Sequence, residues 1–351
     1  MFVSSYSLFS MSSNFPHDSL FKDTFSQLEH AQGLIRSVLP KELVERMDFS
    51  TLQLQPGSYL DEELKPSQSD LLFSIVLSGQ RVLIYLLVEH QSSVDDLMPF
   101  RLLRYMVRIW EDHFNTHPNA KSLPVILPIV FYHGDHDWNG PTSMQQLYDI
   151  DVATWSGIAK YVPQFSFLLD DVTHLPNEWL QQRPMSAVSK LVVLVLRDAR
   201  FVQDLPSFLR QWHEFIDSLE WTWSERELVK KVIQYILQIM ERLGADTVLE
   251  AIQQEILTAP KEVVMSAAEE LIQRGFQRGI QEGERVGEQR GRQEGLVEGK
   301  RSTLSKMLQL KFRTIPTSVT AHIAHGSLEQ LDRWIERIFT ASSVHDVFAE
   351  E

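Results

Sequence analysis

Residues 69–91, "SDLLFSIVLSGQRVLIYLLVEHQ", constrain the fold more tightly than any other stretch of the chain. They are two β-rich apolar runs joined around Ser78–Arg81, which reads as a hairpin. An amphipathic helix follows in "MPFRLLRYMVRIWEDHF" (98–114), then a short buried strand in "LPVILPIVFYHG" (123–134). Strand, helix and strand in this order favour a right-handed crossover onto a mixed sheet. Upstream, "HDSLFKDTFSQLEHAQGLIRSVLP" (17–40) places Leu20, Phe21, Phe25, Leu28, Leu34, Ile35 and Val38 at helical spacing. Pro40 ends that helix, and Asp18 or Ser19 is its expected cap. From about 142 to 260 the apolar spacing predicts mostly helix, covering the sheet or forming a lobe beside it. Residues 302–350 read as three or four short helices, with a capping-box-like start at "SLEQL".

Composition narrows the function classes. A chain of 351 residues that is 43% hydrophobic can bury a sizeable core, in roughly two to three domains. The absence of cysteine excludes disulfides, thiol nucleophiles and cysteine-based zinc sites. The N-terminus has neither a basic n-region nor an apolar h-region, and no stretch has the length of a membrane span. The expectation is a soluble, cytoplasmic chain that makes no use of a membrane. A net charge of −14 argues against a simple polyanion-binding protein, so a grip on phosphate backbone requires a local basic stripe.

The second β-run ends abruptly in Glu89, His90 and Gln91. If Gly79-Gln80 is a two-residue type II′ turn, Ser78 faces Arg81 and Asp70 falls directly opposite Glu89. Their Cβ atoms would then be about 5 Å apart on one face, which Gln91 shares. A three-residue loop would place the two acids on opposite faces, because a one-residue slip inverts facing. Close carboxylates repel each other, and Mg²⁺ or another divalent cation relieves that repulsion. Such a metal polarises a phosphoryl oxygen and lowers the pKa of bound water. Gln91 is too weak a base to deprotonate water but can orient it. The chemistry implied is metal-assisted phosphodiester hydrolysis, although paired acids at strand ends are also common without it.

Arg101, Arg104 and Arg108 occupy an arc of about 60° on helix 98–114. That stripe suits a phosphate backbone or is simply a solvated face. "YHGDHDWNG" (132–140) packs His133, Asp135, His136 and Asp137 into one loop, which reads as a polar turn rather than a metal site. His90 is expected to be structural, and no spacing supplies Ser92 or Ser93 with a base.

Between 274 and 300, Gly275, Gly279, Gly283, Gly287, Gly291, Gly295 and Gly299 recur at every fourth residue, seven of the 15 in the chain. The Arg and Glu between them exclude a membrane GxxxG dimer. Seven interior glycines cost a helix roughly 7 kcal/mol relative to alanine. The four-residue period advances about 40° per step, so no straight contact seam exists. The segment reads as a mobile or partner-stabilised helical connector, an oligomerisation helix, or an arm that contacts nucleic acid.

The segments "HDSLFK", "SDLLFSI", "YLLVEHQSS", "MPFRLLRYMVRIWE" and "LPVILPIVFYHG", in this order and spacing, resemble the recombination-promoting nuclease family, also labelled YhgA-like transposase. That family belongs to the PD-(D/E)XK nuclease superfamily. The resemblance implies an α/β fold with an αβββαβ PD-(D/E)XK core, a mixed sheet flanked by helices, over residues 15–180. Before it lies a flexible N-terminus (1–14). A helical lobe (181–270), the glycine-repeat connector (271–301) and a small helical tail (302–351) follow, making an all-helical C-terminal region. It implies Mg²⁺-dependent DNA cleavage linked to recombination or mobile elements. Asp70 matches the Asp of the superfamily motif and Glu89 the acid of its E-x-K, and both would hold the metal. Gln91 stands where most members have Lys, so the charge near the attacking water is lost. Asp18 would add a further acidic ligand from the first helix, and Arg101, Arg104 and Arg108 would meet DNA. The alternative is an inactive nuclease-fold DNA-binding or assembly protein. In either case residues 271–351 are the expected route to a homo-oligomer.

Overall fold

The two apolar runs of 69–91 form adjacent antiparallel strands within a five-stranded sheet. The structure, a computed structural model, describes residues 16–56, 70–89, 94–152, 154 and 156–349. Helices α1 (Pro16–Phe25), α2 (Leu28–Val38) and α3 (Lys41–Val44) precede strand β1 (Met47–Leu54). The hairpin is β2 (Leu71–Leu77) and β3 (Gln80–Glu89). Helix α4 (Met98–Thr116) leads to β4 (Val125–Tyr132), and α5 (Ser156–Ala159) to β5 (Leu168–Asp171). The sheet order is β1-β2-β3-β4-β5, with β1–β2–β3 antiparallel and β3–β4–β5 parallel. The expected α/β class, a mixed sheet flanked by helices and followed by an all-helical region, is what the chain adopts.

The β-runs read as continuous apolar sequence because both sheet faces are covered. Phe73, Ile75, Ile84, Leu86, Ile129 and Phe131 lie on one face, in the core that takes in α1 and α2. Leu72, Leu83, Tyr85, Leu87, Val130 and Tyr132 lie on the other, against Met98, Leu102, Tyr105, Met106 and Ile109 of α4. The spacing of residues 98–114 thus puts one stripe of α4 on the sheet, burying side chains worth roughly 1.5–3 kcal/mol each.

Four sequence expectations change. The turn pairs Leu77 with Gln80, so its central residues are Ser78 and Gly79 rather than Gly79 and Gln80. Both have positive φ, 48° and 81°, the signature of type I′ rather than II′. The 17–40 segment is two helices, broken between Phe25 and Leu28, where Gln27 takes an extended conformation as the N-cap of α2. Asp18 is in the first turn of α1 rather than capping it. Finally, β1 and β5 were hidden. β1 is a partly polar edge strand with an irregular register between Asp48 and Gln53, and β5 is only four residues long, within the segment expected to be helical.

Beyond the sheet lie α6 (Asn177–Gln182), α7 (Ala187–Asp198), α8 (Leu205–Arg210), α9 (His213–Ile216), α10 (Trp223–Ile239) and α11 (Ala245–Glu255). Helix α7 is buried nearly all round, from Leu191 to Leu196, as its unbroken apolar sequence requires. The chain divides into two compact units at Leu271/Ile272. Helix α12 (Lys261–Phe312) runs unbroken through the glycine repeat, with open space where each of the seven glycines would carry a Cβ. The second unit has its own core, Leu304, Leu308, Val319, Ile323, Leu331, Trp334 and Ile338, closed by α13 (Thr317–His325), α14 (Leu328–Arg337) and α15 (Val344–Phe348). Ser327 caps α14 in a full capping box with Gln330. Among the described residues, no helix is long and apolar enough to cross a membrane. The N-terminal segment 1–14 lies outside the described residues.

Candidate active site

Asp70 stands immediately before β2, and strand alternation gives it the face of Leu72, toward α4. Tyr85, opposite Leu72 on β3, meets it there: the Tyr85 hydroxyl donates to Asp70 Oδ2 at 2.7 Å. Tyr85 is 2% exposed. Burial, then the neighbouring Asp70 charge and their hydrogen bond, push the Tyr85 hydroxyl well above its ordinary 10, while the Arg101 cation partly opposes this. The Tyr105 ring packs 5.5 Å from that of Tyr85, and the Arg101 guanidinium lies 5.9 Å from the Tyr105 centroid. Arg101 also pairs with Asp95 at 3.5 Å. Asp95 accepts the Leu97 N–H at 2.9 Å, just before α4 begins. A hydrogen bond, a ring–ring contact, a cation over a ring and an ion pair thus lead in turn from Asp70 through two tyrosines to Arg101 and Asp95.

The turn decides how Asp70 relates to Glu89. Paired positions in β2 and β3 sum to 157 rather than 159, as in Leu71 with Leu86. Continued by one residue, position 70 falls across from Leu87, so Asp70 is not directly opposite Glu89. A shift of two preserves parity, however, and the backbone of Glu89 follows one pleat beyond Leu87. Position 89 is therefore diagonal to position 70 and shares its parity, at the end of β3 where it pairs with Tyr132 of β4. Gln91, His90, Ser92 and Ser93 lie outside the described residues.

The remaining candidates are dispersed. Asp18 is buried in α1, whose Leu20, Phe21 and Phe25 belong to the core on the opposite sheet face from α4. Among the described residues, no three His, Asp or Glu side chains are gathered closely enough to hold a metal. Arg104 is exposed, and Arg108 pairs with Glu111 at 3.0 Å. The three arginines line one flank of α4. The line furthest from the sheet is apolar: Phe100, Val107 and Phe114. The 133–137 loop behaves as a polar turn. His133 is buried with Nδ1 at 3.1 Å from the Leu196 carbonyl, Asp135 lies 3.6 Å from Arg200, and Asp137 is 2.6 Å from His174.

Sequence reasoning missed Tyr85, the residue that holds Asp70. The signal was present, since Tyr85, Leu87 and Glu89 alternate along one strand and Tyr85 alone among 82–88 carries a strong hydrogen-bonding group.

The family described as "Putative transposase, YhgA-like" matches residues 15–227. The chain belongs to this family. The YhgA-like match begins beside α1, takes in the whole sheet and reaches into α10. Relatives include the recombination-promoting nuclease RpnA of Escherichia coli strain K12, 29% identical over 263 residues, 75% of this chain and 85% of that protein. RpnC of the same strain is 31% identical over 202 residues, 58% of this chain and 64% of that protein. The inactive recombination-promoting nuclease-like protein RpnE, also of that strain, is 29% identical over 260 residues, 74% of this chain and 82% of that protein. No solved structure matches the chain.

Proposed function

We propose that this chain is a metal-dependent DNA endonuclease linked to recombination, with Asp70 and Glu89 as its central acids. The observation that carries the reading is the Asp70–Tyr85 hydrogen bond at a sheet position that shares parity with position 89. A buried tyrosine that holds a carboxylate in one orientation is the support a metal-binding acid needs. The relatives named as recombination-promoting nucleases point the same way.

Two carboxylates form a hard oxygen donor set suited to Mg²⁺ or a similar divalent cation. Asp70 and Glu89 would hold it. When bound, the metal would supply Lewis-acid activation of the phosphodiester and a more acidic water. The protein's own part is to fix Asp70 through Tyr85, to orient the attacking water through Gln91, and to meet phosphate oxygens with Arg101 and Arg108. With Gln91 in place of a lysine, no side-chain cation stands at that position, and a slow enzyme is the consequence.

The name of RpnE favours a second reading, a catalytically inactive DNA-binding or assembly protein that oligomerises through 271–351. Plasmid cleavage by the purified full-length chain with Mg²⁺ separates the two. The nuclease reading expects nicking or linearisation that Asp70→Ala and Glu89→Ala each abolish while the far-UV circular dichroism is unchanged. Equal cleavage by wild type and both variants defeats the assigned site. DNA retention without metal-dependent cleavage supports the inactive reading.

A further inference from the structure

The outer line of α4 is apolar and self-complementary. Phe100, Val107 and Phe114 recur every seventh residue and are 47%, 41% and 40% exposed. With about 100° per residue, Phe100 and Phe114 lie within about 20° of Val107 around the helix. Met98, Leu102, Tyr105, Met106 and Ile109 take the opposite side, against the sheet. Leu103 and Trp110 are half-buried at the intervening positions, so the stripe has the seven-residue spacing of a helix–helix seam. Trp110 Nε1 donates to the Pro124 carbonyl at 2.9 Å, bringing exposed Leu123 and Val125 alongside and widening the patch. A contiguous apolar line with two phenylalanines is a docking surface rather than ordinary scatter.

Its charges identify the occupant. Arg104 and Glu111 lie on the same flank of the stripe, at about 60° and 40° from Val107. At 1.5 Å per residue, Arg104 is about 4.5 Å along the axis in one direction and Glu111 about 6 Å in the other. A two-fold axis through Val107 that sets two copies of α4 antiparallel therefore brings Arg104 within about 1.5 Å, along the axis, of the partner's Glu111. It also sets Phe100 level with the partner's Phe114 and Val107 against its own copy. A parallel two-fold would instead send the partner's Arg104 and Glu111 to the opposite flank of the seam, so neither bridge could form. Glu111 is 54% exposed on its side chain even while paired with Arg108, so it remains able to accept a second cation. We infer that the α4 outer face is an isologous homodimer interface, with two antiparallel α4 helices joined by a Phe100/Val107/Phe114 seam and two Arg104–Glu111 bridges.

The chain has no cysteine, which makes a direct test clean. In the full-length chain, Val107→Cys under mild oxidation should give a disulfide-linked dimer far faster than Glu178→Cys at exposed, unrelated α6. By sedimentation without DNA, Arg104→Glu or Glu111→Arg should each weaken association at this face by at least about tenfold, because each sets like charges together at two symmetric points. The double reversal should restore it. Association through 271–351 would not respond to these charges. Cross-linking of Val107→Cys no faster than of Glu178→Cys overturns the proposal and leaves the face to a different protein. A double reversal as weak as the single variants also overturns it.

Discussion

Replacing Tyr85 by Phe keeps the ring and removes only the donor to Asp70. The hydroxyl sits 2.7 Å from a carboxylate oxygen on a side chain that is 2% exposed. Hydrogen bonds to charged groups contribute about 1.5–3 kcal/mol. Asp70 itself is only half-buried, so water recovers part of the loss, and the expected cost is about 1.5–2 kcal/mol. In a unit of this size that lowers the melting temperature by roughly 3–8 °C. The variant also changes the alkaline limb. The folded Tyr85 hydroxyl ionises well above 10, the unfolded one at about 10, so its contribution is complete below pH 10 and falls as pH rises beyond it. Tyr85→Phe should flatten that fall, leaving the part due to Tyr235, which burial also raises. Urea melts without divalent metal, at pH 7 and above pH 10, measure both effects. Under the nuclease reading, half-saturating Mg²⁺ for DNA cleavage should also rise by about 10–100-fold. Unchanged stability and an unchanged alkaline limb would refute the structural reasoning, and an unchanged Mg²⁺ response alone would refute Tyr85's link to the metal.

His30 is buried against Ser186 and Ser189 at 3.0 and 2.9 Å, and burial lowers its pKa against the opposing pull of Glu29 and Glu225. Its contribution is complete above pH 6.5 and falls as pH drops below that value toward the folded pKa, so His30→Gln should flatten the acid limb of stability between those points. Arg183→Ala strands buried Asp170, which the guanidinium grips at 2.8 and 2.5 Å, and should cost about 3–5 kcal/mol in a denaturant melt. Changing Arg101 and Arg108 together to Gln should weaken DNA retention and reduce the slope of log K against log salt by up to about 2, read by filter binding at several salt concentrations.

The parts of this fold visible in the sequence were those with a strong local apolar pattern. The hairpin announced itself as two short continuous apolar runs around a turn signal, and α4 by apolar residues recurring at 3–4 spacing. The edge strand β1 did not, because its exposed side is free to be polar, as at Asp48 and Ser50. The Asp70 position was legible, but its register was not. Ser78 adopts a left-handed conformation that Gly79 was expected to take alone, and this moves the pairing by two residues. The apolar crown of α4 was masked by the arginines beside it. Only burial shows that Phe100, Val107 and Phe114 point away from the sheet while Leu102, Met106 and Ile109 point into it.

The central claim is that Asp70 and Glu89 share one divalent ion. Anomalous diffraction from crystals soaked in Mn²⁺ tests it most directly. The account predicts a peak at about 2.0–2.2 Å from a carboxylate oxygen of each residue, lost in crystals of Asp70→Asn. An ion bound elsewhere by a chain that still cleaves DNA would contradict it.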